Sequence, residues 1–406
     1  EGDGRVEVRP QAGAFVLETQ RQSLVTPQLP IPVRRSDLTM RLLGEMNQSD
    51  LARLGGSQPN QDMLATRQIR RLAGRLGRED FANRYDLPSG TPELRRQIAR
   101  LALQAGIQIE PEGVLLTSGC QEAVMACLQT ICQEGDTVAV ESPTFYGYLE
   151  VLEILRLRVL EVPSQPADGL SFQALQAALE RYPVRCLLVT PNFSNPQGAL
   201  MSEQVKRKLA QLPIPIIEND IQGDLYYEGK RPLALRAYRS DVFYCSSFSK
   251  VLGPELRVGW LLAGGHRQQL ERSLMFRSFG SSALTRQALA EYLARGDYER
   301  VLRRARQSYG RQARQVHSLL CKHLPPGSRV HRPEGGKMLW VQLPAGSDSL
   351  QLYRLCRARG ISISPGHLYA SDERYGNFLR LICSYWTPET QASLRELCRL
   401  AHSLGS

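Results

Sequence analysis

The chain has 406 residues, of which 42% are hydrophobic and 22% charged, with a formal net charge of +11. That is an ordinary composition for a globular protein, and the length exceeds what one hydrophobic core usually reaches, so at least two lobes are expected. No apolar run is long enough to span a bilayer, and Glu1-Gly2-Asp3-Gly4 has no basic-then-apolar signal pattern, so a cytoplasmic protein without a membrane partner is expected. In chain order, residues 5–17 predict a short hairpin: Val6 and Val8 alternate with polar residues, and Phe15-Val16 follow a Pro-Gln-Ala-Gly turn. Residues 18–38 are polar, carry Pro27, Pro30 and Pro32, and suit a linker. The absence of an initial Met reads as a fragment or a processed product.

From about residue 90 the pattern alternates. Strands are predicted at 114–117, 136–141, 185–190, 214–218, 241–245 and 256–262. Helices are predicted from residue 121, through 157, and over 203–212. Short apolar strands interleaved with helices imply an α/β fold with a mostly parallel central sheet covered on both faces. Ligands in such sheets sit beyond the carboxyl ends of the strands. After about residue 276 the texture changes to a smaller α+β lobe: one long helix over 290–323, a strand after Gly335-Gly336, a helix over 350–359 and a strand over 378–383.

Nine cysteines are scattered without a C-x-x-C pair, which reads as small buried hydrophobes in a reducing compartment, with no metal site. The basic run from 300 to 314 reads as the solvated face of a polar helix, because no aromatic residues interleave with it as in a nucleic-acid patch.

The strongest chemical signal is Ser247-Phe248-Ser249-Lys250, followed by Arg257. A lysine just past an apolar strand can have its charge disfavoured by burial and by neighbouring cations. A neutral amine is the form that attacks an aldehyde. Two hydroxyls and a guanidinium nearby suit a phosphate dianion. The bland alternative is a surface Ser-Lys turn.

Other segments narrow the choice. In order they are Tyr85-Asp-Leu-Pro-Ser-Gly90, Ser118-Gly119-Cys120-Gln121, Glu141-Ser-Pro-Thr-Phe145, Asn195-Pro196-Gln-Gly198, Gly335-Gly336, Pro365-Gly366 and Phe378-Leu-Arg380-Leu. From about residue 45 to the end, the chain resembles the class I/II aminotransferases of the pyridoxal 5′-phosphate (PLP) fold type I. The resemblance implies PLP held as a Schiff base on Lys250. It implies a phosphate cup from Gly119, Cys120, Gln121, Ser247, Ser249 and Arg257, where a helix start offers free N–H groups. Phe145 would stack on the pyridine ring and Asn195 would bond its O3′. Arg380 would grip the α-carboxylate of an amino-acid or amine ligand, for which a bidentate fork is suited. Tyr85 would reach the phosphate of a neighbouring subunit, implying a homodimer. Plain alternatives stand beside these: helix capping at Gly119, a core Phe145, an Asn-Pro turn at Asn195 and a structural ion pair at Arg380.

One segment departs from the family. Where an aspartate faces the pyridine nitrogen, the run here is Glu218-Asn219-Asp220-Ile221-Gln222. Alignment favours Asn219 at that position, and chemistry favours Asp220. Neighbours on a strand face opposite ways, so only one of them can serve.

The N-terminal hairpin is similar to the wing of a GntR-type winged helix-turn-helix, which MocR-type transcriptional regulators join by a linker to an aminotransferase-like domain. The expected organisation is a wing remnant over 1–17, a linker over 18–44, an N-terminal segment and large PLP-binding domain over 45–275 and a small C-terminal domain over 276–406. DNA binding would belong to a winged-helix domain whose recognition helix precedes residue 1. The alternative is a free-standing aminotransferase that passes an amino group from an amino acid to a 2-oxo acid. A PLP-dependent lyase or synthase on the same fold is a third reading, since fold does not fix reaction.

Overall fold

Eight strands build the main sheet: β1 (Ile31–Pro32), β2 (Val114–Thr117), β3 (Thr137–Ser142), β4 (Arg158–Gln165), β5 (Val184–Val189), β6 (Ile216–Asn219), β7 (Phe243–Ser247) and β8 (Gly259–Leu262). Their spatial order is β1-β4-β3-β5-β6-β7-β8-β2, with the two-residue strand Gly169–Leu170 against β4. This computed structural model describes residues 6–9, 13–16, 29–33, 38–45, 51–56, 59–60, 63–78 and 87–404. The five strands β4, β3, β5, β6 and β7 are parallel, while β8 runs antiparallel to both β7 and β2. The expected mostly parallel sheet is therefore present. Every residue of β2, β3, β6, β7 and β8 is buried, as expected of strands covered on both faces. Each fully buried Leu or Val there contributes about 1.5–3 kcal/mol relative to exposure.

The predicted strands lie within one to three residues of the observed ones, except at two places. The helix expected through residue 157 is Tyr146–Ile154, and β4 follows, unpredicted, after a turn with Arg156 at φ 52. Arg158, Glu161 and Ser164 interrupt its apolar character; Glu161 is buried only because Ser371 and Arg374 satisfy its carboxylate. The single long helix expected over 290–323 is two, Ala283–Ala294 and Asp297–His323, broken at Gly296 with φ 73. The second buries Tyr298, Leu302, Ala305, Tyr309, Ala313, Val316 and Leu320 at helical spacing. Arg300, Arg303, Arg304, Arg311 and Arg314 lie on its exposed face.

A second, antiparallel sheet holds β9 (Arg329–Val330), β10 (Met338–Gln342), β11 (Ser364–Pro365) and β12 (Phe378–Ile382), in the order β9-β10-β12-β11. Helices Ser349–Arg357 and Pro388–His402 pack on it through Leu352, Tyr353, Cys356, Leu394 and Leu397. The segment 51–56 is stitched to this lobe: Ala52–Arg53 pairs in parallel with Ile361–Ser362, and the Leu54 carbonyl accepts from Ile382 N–H. Gly55 lies so close to Ile363 that a Cβ would stand 2.3 Å from its carbonyl carbon.

Near the start, Val6–Arg9 and Gly13–Val16 pair antiparallel, in agreement with the predicted hairpin. Within residues 18–44, β1 joins the edge of the main sheet, the Arg158 guanidinium donates to the Pro30 carbonyl at 2.7 Å, and Leu38–Glu45 is helical. All nine cysteines are free, and eight are buried or half-buried. Among the described residues no group of His, Cys, Asp and Glu could hold a metal, and no helix is long and apolar enough to cross a membrane.

Candidate cofactor site

The carboxyl ends of β2, β3, β5, β6 and β7 lead into one region, which Arg380 on β12 also reaches. β2 runs in the same direction as β7, because both are antiparallel to β8. Its end enters a tight turn at Gly119 with φ 124, and the helix Cys120–Ile131 begins there. The Ser118 N–H is satisfied by the Glu122 carboxylate at 2.5 Å. A Cβ on Gly119 would stand 2.7 Å from an Arg257 Nη2, so the guanidinium lies directly over this turn. Arg257 itself occupies the left-handed region with φ 49, after the short turn Pro254–Leu256. Helix-start N–H groups and a cation therefore face the same space, which is the donor set a phosphate dianion needs. Gly259 must be glycine for the same closeness: a Cβ there would meet the Gly119 backbone at 2.6 Å.

At the end of β7, Ser247 accepts from Ser249 N–H at 3.3 Å and caps the turn Phe248–Lys250. Burial pushes the Lys250 amine down to about 8, helped by the charges of Arg380 and Arg257, with the Cys120 thiol acting the other way. Burial also pushes the Cys120 thiol well up, so it sits in the turn as a neutral group.

From β3, Phe145 caps the helix Tyr146–Ile154 and meets Tyr146 at 4.7 Å and Tyr148 edge-on at 5.4 Å between ring centroids. Gly147 leaves room for that ring, since a Cβ would stand 2.4 Å from it. Gln121 donates to the Gly147 carbonyl at 2.8 Å and ties this segment to the phosphate-type turn. After β5, Asn195 accepts from Arg380 Nη1 at 2.9 Å through its side-chain oxygen, which turns its Nδ2 away from Arg380 as a donor. Arg380, on β12, is 1% exposed; its Nη2 is taken by the Gly55 carbonyl, and its Nε has no partner among the described residues. The Tyr369 ring lies 5.4 Å from the guanidinium carbon.

The ambiguous pair separates cleanly. Asn219 donates through Nδ2 to the Tyr148 hydroxyl at 2.6 Å and accepts from Ile221 N–H at 3.1 Å. Tyr148 belongs to the same helix turn as Phe145, so Asn219 faces the side of the sheet that carries Cys120 and Phe145. Asp220 points the other way. It accepts from Arg231 at 2.6 Å, Tyr244 at 2.9 Å and Asn192 at 3.0 Å, with none of its side chain exposed. Burial alone would raise its pKa, but the Arg231 guanidinium outweighs that and holds it below the usual carboxylate range. Glu218, on the same face as Asp220, accepts from the N–H groups of Leu235 and Arg236, and burial raises it to about 7. Asp220 is thus engaged on the face opposite Asn219, where its three donors lie. Tyr85 lies outside the described residues.

Sequence reasoning passed over two residues of this region. Tyr148 is buried and links Asn219 to Thr190, whose hydroxyl is 2.9 Å from its own. Its place three residues after Phe145, on the same helix face, was the available signal. Lys337 is fully buried beside the region, with an amine that has no hydrogen-bond partner. A lysine immediately after Gly335-Gly336 and before an apolar strand was the signal there.

The residues present fit a phosphate-bearing aldehyde: the Gly119–Arg257 cradle would take the phosphate, and the Lys250 amine, pushed down to about 8, would take the aldehyde. Three comparisons agree. The family model "Aminotransferase class I and II" matches residues 49–398. The chain is 33% identical to the uncharacterized HTH-type transcriptional regulator YjiR of Escherichia coli, over 94% of this chain and 84% of that protein. It is 31% identical to a second such regulator of that organism, YdcR, over 98% and 88%. Among solved structures, LysN of Thermus thermophilus superposes with a TM-score of 0.83 at 27% identity, covering 92% of this chain and 96% of the other. That structure is an α-aminoadipate aminotransferase complexed with N-(5′-phosphopyridoxyl)-L-leucine.

Proposed function

The chain belongs to the class I and II aminotransferases and its cofactor is pyridoxal 5′-phosphate; on that basis we propose that Lys250 holds the cofactor, that Arg380 grips an amino-acid carboxylate, and that the chain is the ligand-sensing domain of a MocR-type regulator. The observation that carries the cofactor assignment is the half-buried Lys250 amine, pushed down to about 8 beside the Gly119–Arg257 cradle. When bound, pyridoxal phosphate supplies an electron sink for charge at the ligand's α-carbon.

The chain's own groups divide the remaining work. Gly119, Cys120 and Gln121 present backbone N–H groups, and Arg257 presents its guanidinium, to the phosphate, with Ser247 and Ser249 as further donors. Phe145 excludes water from one face of the ring. Asn195, with its oxygen held by Arg380, directs its Nδ2 to the ring hydroxyl. Lys250 titrates near neutral pH and so can both hold and release a proton at Nζ. Arg380 orients the ligand, and its unpartnered Nε strengthens the case for an incoming anion.

Asn219 favours the sensing role over efficient transamination. A neutral amide, engaged at both ends by Tyr148 and Ile221 N–H, holds a proton on the ring nitrogen far less firmly than a carboxylate would. The kinship with YjiR and YdcR over nearly the whole chain supports the same reading. The strand pair Val6–Arg9 and Gly13–Val16 is read as a wing, residues 18–44 as a linker, and the chain as dividing near residue 275 into large and small domains. A cytoplasmic homodimer, with Tyr85 serving the neighbouring subunit, completes the proposal.

The experiment is direct. Purified chain supplied with PLP is expected to develop a visible absorbance band that borohydride fixes on the peptide containing Lys250. A Lys250→Ala variant that keeps the fixed band would refute the assignment. A panel of amino acids is expected to shift the band with little keto-acid release; brisk release would favour the free-standing aminotransferase.

A further inference from the structure

Lys337 has no place in the reading above, yet it is among the largest fully buried side chains of the protein. It stands at the mouth of β10, directly opposite Cys383, whose N–H donates to the Lys337 carbonyl at 2.9 Å. Its amine lies 5.9 Å from the centre of the Tyr309 ring and has no hydrogen-bond partner among the described residues. A buried ammonium is ordinarily paired with a carboxylate, because desolvating it alone is costly. Among the described residues the buried carboxylates are committed elsewhere: Asp220 to Arg231, Glu218 to two backbone N–H groups, Glu141 to Thr190 N–H and Glu161 to Ser371. Lys337 is instead close enough to Lys250 and Arg380 for both charges to act on it. Burial first, then Lys250 and more weakly Arg380, hold its amine well below the ordinary lysine range, with Cys383 acting the other way.

The region thus gathers four basic side chains, Lys250, Arg257, Arg380 and Lys337. The cofactor and its phosphate account for Lys250 and Arg257, and one ligand carboxylate accounts for Arg380. One buried amine is left over, and an anion placed beside it would restore its charged form. We propose that Lys337 is a second anion-binding point in the ligand pocket, so that the preferred ligand is a dicarboxylic amino acid whose side-chain acid it receives. This rests on the assignment of Arg380 to the α-carboxylate. Gly55 and Asn60 reach the same corner: Gly55 accepts from Arg380, and Asn60 donates to the Tyr309 hydroxyl and the Ser384 carbonyl. A ligand reaching Lys337 would therefore lie under ordered backbone, shielded from water, where a charge-assisted bond is strongest.

The test uses the PLP-loaded chain and two amine-free probes of equal carbon number, glutarate and n-valerate, titrated against the cofactor absorbance. Wild type is expected to bind glutarate about tenfold to a hundredfold more tightly than valerate. In Lys337→Met that ratio is expected to fall to about one, and the melting temperature of the cofactor-loaded protein is expected to rise, since an unpartnered buried amine has been replaced by an apolar side chain of similar shape. Lys337→Arg, which keeps the charge, is expected to retain a preference for glutarate. Equal binding of the two probes by wild type, or a glutarate preference that survives in Lys337→Met, would overturn the inference. The parent reading fails separately, and the inference with it, if the chain takes up no PLP or if Arg380→Met binds valerate as wild type does.

Discussion

The protonation of Lys250 in the cofactor-free chain is the most demanding consequence of the site geometry. A group titrating at about 8 is neutral in roughly a quarter of molecules at pH 7.5, against roughly one in a thousand for a lysine at its ordinary value. The nucleophilic form is thus enriched by roughly two hundredfold. Pulse acylation of the cofactor-free chain, read peptide by peptide by mass spectrometry, should show Lys250 labelling with a midpoint near pH 8 while exposed Lys322 serves as internal reference. Arg380→Met removes a cation that disfavours the charged amine, so the midpoint should move upward. It should stay below the ordinary range, because burial is the larger cause. The same shift links to stability. The unfolded chain keeps this proton to about 10.5 and the folded chain releases it near 8, so Lys250 makes folding less favourable below pH 8, an effect that fades as pH rises toward 10.5. A labelling midpoint in the ordinary lysine range, or one that falls in Arg380→Met, would refute the reasoning.

Three further outcomes follow from named contacts. Gly119→Ala places a Cβ at 2.7 Å from the Arg257 guanidinium in a backbone with φ 124, a strain of about 1–3 kcal/mol; PLP retention on dialysis should drop about tenfold, and full retention would contradict the cradle. Asp220→Asn strips the buried Arg231 of one carboxylate while Asp224 remains at 2.6 Å, so denaturant unfolding at pH 7 should show a loss of about 3 kcal/mol; a loss within error would mean that the pair adds nothing. Burial raises the Glu141 carboxyl to about 8, and the folded protein therefore holds a proton there that the unfolded chain loses near 4.5. The stability this group contributes is full below pH 4.5 and lost as pH rises through 8. Glu141→Gln should flatten the stability profile across that window, and an unchanged slope would place the titration elsewhere.

Much of this protein was legible in its sequence. The fully buried strands are built around short apolar runs, as a sheet covered on both faces requires, so they could be marked from the sequence pattern. The turn residues at Gly119, the Asn195-Pro196 step and the Ser-x-Ser-Lys run are local devices with local signatures, so they too could be found. Strand β4 escaped because its buried Glu161 is satisfied by Ser371 and Arg374, more than two hundred positions away. The break at Gly296 escaped because the apolar period continues on both sides of it.

What only the tertiary structure decided was direction and company. Sequence placed Asn219 and Asp220 side by side and required that they face opposite ways; the donors Arg231, Tyr244 and Asn192, drawn from three other segments, determine which way Asp220 turns. Likewise the one-letter run around Lys337 says nothing of its charge balance. That balance emerges when β10, β12, the turn after β7 and the helix Asp297–His323 bring Arg380, Lys250 and Tyr309 around one amine without a carboxylate. Local pattern selects the elements because backbone propensity and burial act over a few residues, whereas the partner of a buried charge is chosen by packing across the whole chain.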